Sequence, residues 1–153
     1  MPKFDSLELL FTCFAFLFQL VLLVHFSLRK WRFDTAIRLG PVVYALSIIF
    51  VLVSFILILG GRQRSFWIGG FIYLAWAIFG YIVEYILKID WRTPPVNGPV
   101  MGPYLILYLA ANMFYWFPLA LIYKPLWYVY AVLFVINTYL NITSHKVTRP
   151  MVD

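Results

Sequence analysis

Charged side chains are scarce in this sequence of 153 residues. Asp, Glu, Lys and Arg make up only 12% of the residues, against about 25% in ordinary soluble domains, whereas 64% of the residues are hydrophobic. A soluble globule of this size has too much surface for its volume to bury such an apolar excess. The composition therefore argues against a soluble domain and predicts a protein that lies in a membrane.

Residue types that carry chemistry are also few. The single cysteine, Cys13, excludes an intrachain disulfide, and two histidines, His25 and His145, are too few for a convincing metal site. The sequence has no CxxC motif and no glycine-rich phosphate loop. We therefore expect no metal and no cofactor, and no catalytic set is evident. The net charge of +6 comes from basic residues scattered between apolar segments, which favours topology signals and lipid head groups over nucleic acid.

Long apolar segments recur almost without a pause. A helix rises about 1.5 Å per residue, so about 20 apolar residues cross a hydrocarbon core about 30 Å thick. The sequence therefore predicts an all-α integral membrane protein, with 1–153 forming a single transmembrane helical-bundle domain. The expected spans are roughly 8–28, 40–60, 66–88, 103–123 and 125–144.

The number of spans depends on the last apolar stretch, which Pro118, Lys124 and Pro125 interrupt. It is either a tight helical hairpin or one long kinked helix, which would leave four spans. As one helix, residues 103–144 would be about 63 Å long, twice the thickness of the hydrocarbon core. The length favours the hairpin and hence five spans. We also expect the second span to begin at Gly40-Pro41, because proline suits a first helical turn.

The basic residues between the spans predict an orientation. One side of the membrane receives Arg29, Lys30, Arg32, Arg38, Lys88, Arg92, Lys146 and Arg149, and the other receives Lys3, Arg62, Arg64 and Lys124. This bias of eight against four predicts an outside N-terminus and a cytoplasmic C-terminus. We expect a multi-pass protein of the plasma (inner) membrane.

Polar side chains inside a bilayer are costly unless they are paired, so they mark candidate sites. The alternation of antiparallel spans predicts two depths: the half nearest the cytoplasm for His25, Tyr44, Glu84, Tyr108 and Asn141, and the middle of the membrane for Gln19, Asn112 and Asn137. Together with their helical spacing, these depths predict one polar, tyrosine-lined pocket, anchored by Glu84, in the half of the bundle nearest the cytoplasm. The candidate ligand-binding residues are Tyr44, Trp76, Glu84, Tyr108, Asn112, Trp116, Asn137 and Asn141. The candidate catalytic residues are Glu84 and His25.

Plainer interpretations stay open for these residues. Glu84 precedes Lys88 by four residues, which is the favourable spacing for a helical ion pair at the membrane interface. His25 lies near a span end, as an interfacial residue does, and the asparagines are typical of bonds that hold helices together. The proline-rich segment 90–95 is either a rigid connector or a lid over the pocket.

Three classes of function fit this pattern. The scarcity of ionisable groups favours a non-catalytic protein, either an accessory subunit of a membrane complex or a binder of a lipophilic small molecule. The first alternative is a membrane-embedded enzyme that acts on a lipid or isoprenoid, with Glu84 as acid or base. The second is a small oligomeric transporter or channel. The expected partners are membrane lipids, a lipophilic ligand, and other membrane subunits or further copies of this chain, with no nucleic acid.

Overall fold

The structure is a computed structural model that describes residues 4–89 and 97–144. Within these residues the chain is helical and has no strand. The helices are α1 (Ser6–Trp31), α2 (Phe33–Leu59), α3 (Arg64–Tyr81), a π-helical turn (Ile82–Ile86), α4 (Gly98–Ile122) and α5 (Lys124–Ser144). Five helical segments are long and apolar enough to cross a membrane, which confirms the all-α membrane bundle of five helices. Tyr123 alone, in an extended conformation, separates α4 from α5, so the hairpin is also confirmed.

The helices form a closed ring, because each packs against the next along the chain and α5 returns to pack against α1. One residue separates α1 from α2 and four separate α2 from α3, and connections this short make the joined helices antiparallel. Helices α1 and α3 therefore run in the same direction, and the ring pair Phe11–Phe66 and the ion pair Arg29–Glu84 join them near opposite ends. This arrangement brings the end of α1, the start of α2 and the end of α3 to the same level of the bundle.

Aromatic rings fill the interior. Phe18 of α1 lies 5.0 Å from Tyr73 of α3 and 4.9 Å from Tyr115 of α4, measured between ring centroids. Large apolar side chains such as Leu52, Ile106 and Val135 stay exposed on the outside of the ring. Soluble monomers rarely expose wide apolar surfaces, so this outer surface is suited to acyl chains.

Helix α2 begins at Phe33, so the prediction that Pro41 lies in its first turn is wrong. Pro41 lies inside the helix, where it has no N–H to offer the carbonyl of Ile37, four residues earlier. The hydroxyl of Tyr85 donates a hydrogen bond to this carbonyl at 2.7 Å. A side chain from the π-helical turn thus replaces the missing backbone bond, and the helix continues through the proline.

The π-helical turn follows α3 without a break. The amide of Leu87 donates to the carbonyl of Ile82, five residues earlier, at 2.8 Å. Lys88 then ends the helical path with a φ of 50°, in the left-handed region. A π turn changes the angular spacing of side chains around the axis, so the regular helical wheel misplaces residues that follow it. Glu84 is the central residue of this turn.

Some predictions lie outside the described residues. One concerns the connector or lid at 90–95. The others concern the basic residues counted for the orientation, Lys3, Arg92, Lys146 and Arg149, and the second histidine, His145.

Candidate functional site

A buried ion pair joins α1 to the π-helical turn. Nη2 of Arg29 lies 3.1 Å from Oε1 and 2.9 Å from Oε2 of Glu84. The Arg29 side chain is 3% exposed and the Glu84 side chain 8% exposed. The hydroxyl of Tyr44, from α2, donates to Oε2 of Glu84 at 2.9 Å. Three segments of the chain thus meet at one carboxylate, where the opposite charges leave the group electrically neutral.

Tyr44 reaches Glu84 because its side chain passes α3 at a glycine, Gly80. A Cβ atom at Gly80 would lie 2.8 Å from the Tyr44 hydroxyl oxygen, which is closer than real Cβ atoms approach their neighbours. The absence of a side chain at Gly80 therefore lets α2 and α3 approach closely at this level.

His25 lies one helical turn before Arg29 and is 1% exposed. Its ring centroid lies 5.5 Å from that of Phe26 and 6.4 Å from that of Tyr44. Neither Nδ1 nor Nε2 has a hydrogen-bond partner among the described residues. Buried polar groups in proteins are nearly always hydrogen-bonded, so this imidazole is an exception and has hydrogen-bonding capacity to offer.

Two further aromatic side chains complete the group. The Trp76 ring lies 5.6 Å from that of Tyr44 and 5.3 Å from that of Tyr104, and both Trp76 and Tyr104 are fully buried. Tyr104 interacts electrostatically with both charges of the ion pair. We call these six residues the ionic cluster: His25, Arg29, Tyr44, Trp76, Glu84 and Tyr104.

A second polar group joins α1, α4 and α5. Nε2 of Gln19 donates to Oδ1 of Asn112 at 2.7 Å, and Nδ2 of Asn137 donates to both the backbone carbonyl and Oε1 of Gln19. All three side chains are fully buried. We call them the amide cluster. Gln19 precedes His25 by six residues and Arg29 by ten, so the two clusters lie about 9–15 Å apart along α1.

The candidate residues that were predicted to line one pocket therefore lie in two clusters at different depths along the bundle axis. The ionic cluster contains Tyr44, Trp76 and Glu84, together with the catalytic candidate His25, and the amide cluster contains Asn112 and Asn137. Tyr108 packs its ring against Phe26 at 5.8 Å, and its hydroxyl lies 3.4 Å from Oγ1 of Thr138. Asn141 is buried in α5.

Trp116 lies at the α4–α5 hairpin. Its ring stacks on Trp127 with centroids 4.8 Å apart, and its indole N–H donates to the Trp127 carbonyl at 2.9 Å. Trp76 is fully buried, whereas Trp116 is half-buried. These contacts give Trp116 a part in closing the hairpin.

Sequence reasoning missed Arg29, which was assigned to the basic residues flanking the membrane. The buried face of α1 continues at helical spacing through Leu22, His25 and Phe26 to Arg29, and this periodicity was the available signal. The ion pair that Glu84 forms crosses the bundle to Arg29, while the predicted local partner, Lys88, lies exposed beyond the π-helical turn.

The described residues contain no group of three or more His, Cys, Asp or Glu side chains placed to hold a metal ion. The ionic cluster instead offers hydrogen-bonding groups of an imidazole beside a neutralised ion pair, enclosed by aromatic rings. Such an arrangement suits the recognition of a polar group attached to an apolar body. Comparisons with protein-family models, with curated proteins and with solved structures give no match to this chain.

Proposed function

We propose that this membrane protein binds a lipophilic small molecule, with the polar head of the molecule at the ionic cluster and its apolar body among the aromatic helices. The observation that carries the proposal is His25, a buried imidazole whose two nitrogens have no hydrogen-bond partner among the described residues. A hydrogen-bonding group kept in an apolar interior is costly unless something completes its bonds.

The state of Glu84 favours binding over acid–base catalysis. Its carboxylate accepts hydrogen bonds from both Arg29 and Tyr44. A general base must reach the proton that it removes, and a carboxylate engaged in this way has less freedom to do so. Glu84 thus serves better to hold Arg29 and Tyr44 in place than to transfer protons.

A row of aromatic side chains links the lipid-facing surface to the cluster. Tyr81 is 42% exposed and stacks on Tyr85, with ring centroids 5.4 Å apart. The ring centroid of Tyr44 lies 6.5 Å from that of Tyr81 and 6.1 Å from that of Tyr85. The Tyr44 ring in turn contacts the ring of His25. Only one side chain in this row, Tyr44, separates the surface pair from the imidazole. A rotation of Tyr44 would therefore open a path from the lipid.

For localisation, we propose the plasma membrane with the N-terminus outside. Without Arg29, which is buried in the ion pair, the bias of basic residues is seven against four. A cysteine introduced at Gln63, in a Cys13→Ser background, should then react with an impermeant maleimide on intact cells. Labelling only after the cells are opened would reverse the proposed orientation.

The proposed binding is tested by native mass spectrometry of the protein purified in mild detergent. We expect a small lipophilic adduct on the wild-type chain and on Tyr128→Leu, a variant of a lipid-exposed tyrosine. Tyr44→Leu removes the ring that touches His25 and the hydroxyl that touches Glu84, so the adduct should be lost. Circular dichroism and a single oligomeric species confirm that each variant is folded, and Tyr44→Phe provides a milder change.

Three results would contradict the proposal. Absence of any adduct from the wild-type protein is one, and an adduct that survives Tyr44→Leu is another. Purification at a fixed stoichiometry with another polypeptide, without an adduct, would favour the accessory-subunit alternative.

A further inference from the structure

We infer that the lipophile bound at the ionic cluster has an uncharged head group with an acceptor oxygen, such as a ketone, an ester or an alcohol, and that His25 donates a hydrogen bond to that oxygen. The inference rests on the proposed function and names its class of ligand.

The charges of the cluster argue against an ionic head group. Arg29 and Glu84 neutralise each other across the bundle. An anionic head would compete with Glu84 for Arg29 and leave a buried carboxylate without its cation, whereas a cationic head would compete with Arg29 for Glu84. An uncharged head leaves the ion pair intact, so it enters at the lowest electrostatic cost.

The imidazole of His25 and the guanidinium of Arg29 together offer more hydrogen-bond donors than acceptors. Neutral imidazole has one N–H and one acceptor nitrogen, and both ring nitrogens of His25 lack a partner among the described residues. Arg29, one turn further along the same face of α1, adds further N–H groups beside the Nη2 that faces Glu84, and Tyr104 lies against its guanidinium. Arginine nitrogens only donate. An excess of donors is complementary to an acceptor oxygen, and a hydroxyl head group would also satisfy the acceptor nitrogen of His25.

The experiment compares probes that differ only in the head group. Hexadecan-2-one, hexadecanesulfonate and hexadecyltrimethylammonium, each with a diazirine at the same mid-chain carbon, are added to the full chain in phosphatidylcholine nanodiscs. The two ionic probes carry permanent charges, so protonation in the bilayer does not blur the comparison. Photolabelling is measured against probe concentration, and the labelled peptides are identified by mass spectrometry.

We expect saturable labelling by the ketone at a concentration about tenfold lower than for either ionic probe, as the loss of one favourable polar contact would give. His25→Phe keeps a ring but removes both nitrogens, so it should raise the half-saturating concentration of the ketone about tenfold. His25→Gln restores an N–H donor and should recover part of the binding. Val24→Phe places a ring at the neighbouring lipid-exposed position and serves as the matched control.

The outcomes separate this inference from the proposed function. Saturable labelling that favours the sulfonate or the ammonium probe would overturn the uncharged head group while leaving lipophile binding in place. Ketone labelling that is unchanged in a folded His25→Phe would overturn the role of His25. Labelling by all three probes that never saturates would overturn the proposed function itself.

Discussion

Arg29 is a buried cation, and several side chains of the bundle hold it in place. Arg29 lies in the interior of a membrane protein, where an unpaired charge would be very costly, and Glu84 meets it at 2.9 Å. Tyr44 donates to the same carboxylate, so the negative charge is held from two sides. The pair joins α1 to the end of α3, and it holds His25, one turn away, beside Tyr44.

Because the pair is buried, loss of one partner should cost far more than loss of both. We expect Arg29→Met and Glu84→Gln each to lower the free energy of unfolding by about 3–5 kcal/mol, and the double variant to lose much less than the sum. Thermal and denaturant unfolding in mild detergent would measure these changes. Lys88→Met is the matched control because it removes the partner expected from the i, i+4 spacing. An equal loss of stability from Lys88→Met would contradict the assignment of Arg29 as the partner.

At the scale of the helices, two irregularities compensate each other. Pro41 removes a backbone hydrogen bond from α2, and the π-helical turn after α3 carries Tyr85 to the carbonyl left without its bond. Gly40 makes this possible because a side chain at that position would collide with the Tyr85 hydroxyl. Each irregularity would weaken its own helix, and together they join the two helices.

This compensation predicts a specific coupling between Pro41 and Tyr85. Tyr85→Phe removes the donor to the Ile37 carbonyl, so we expect a loss of about 1 kcal/mol in the free energy of unfolding. In a Pro41→Ala background the restored amide N–H bonds to the same carbonyl, and Tyr85→Phe should then cost much less. Tyr81→Phe, in the stacked neighbour, is the control. Equal costs of Tyr85→Phe in both backgrounds would show that the hydroxyl does not replace the backbone bond.

At the scale of the whole molecule, polar contacts join both ends of α1 to other parts of the bundle. The ionic cluster holds its second half, and a capping group holds its start. The carboxylate of Asp5 accepts from the amide of Glu8 at 2.8 Å, and the carboxylate of Glu8 accepts from the amide of Asp5 at 3.2 Å. Arg62, from the α2–α3 connection, pairs with Asp5 and lies 3.7 Å from Glu8. The start of α1 is thereby tied to the far end of α2.

The capping group predicts a dependence on pH outside the membrane. The hydrogen bond from the Glu8 amide and the bond from Arg62 hold the pKa of Asp5 below its ordinary value of 3.8. A carboxyl group with a lowered pKa in the folded state stabilises that state above the unfolded-state pKa, and this contribution is lost as the pH falls through the folded-state pKa. Hydrogen exchange at residues 7–9 should therefore accelerate, relative to the unfolded chain, only at pH values below about 4.

NMR titration of the Asp5 carboxyl carbon tests the cause directly. Arg62→Gln should raise the pKa of Asp5 toward its ordinary value, whereas Arg64→Gln, at an exposed arginine two residues later, should leave it unchanged. An equal change in the pKa of Asp5 in both variants would contradict a specific hydrogen bond from Arg62 and indicate a general effect of positive charge.

The sequence by itself determined the membrane environment and the five helices, because spanning a bilayer depends on the length and hydropathy of contiguous segments. The alternation of antiparallel spans also placed His25, Tyr44 and Glu84 at one depth, and Gln19, Asn112 and Asn137 at another, and in each set the structure shows direct contacts.

Only the tertiary structure decided which charges meet. Arg29 and Glu84 are 55 positions apart, and Arg29 stands among basic residues that resemble interfacial charges. The π-helical turn alters the direction of Glu84 in a way that a regular helical wheel does not anticipate. The rotation of each helix about its axis depends on packing against its neighbours, so the helical spacing that puts His25 and Arg29 on the buried face of α1 does not specify Glu84 as the partner of Arg29.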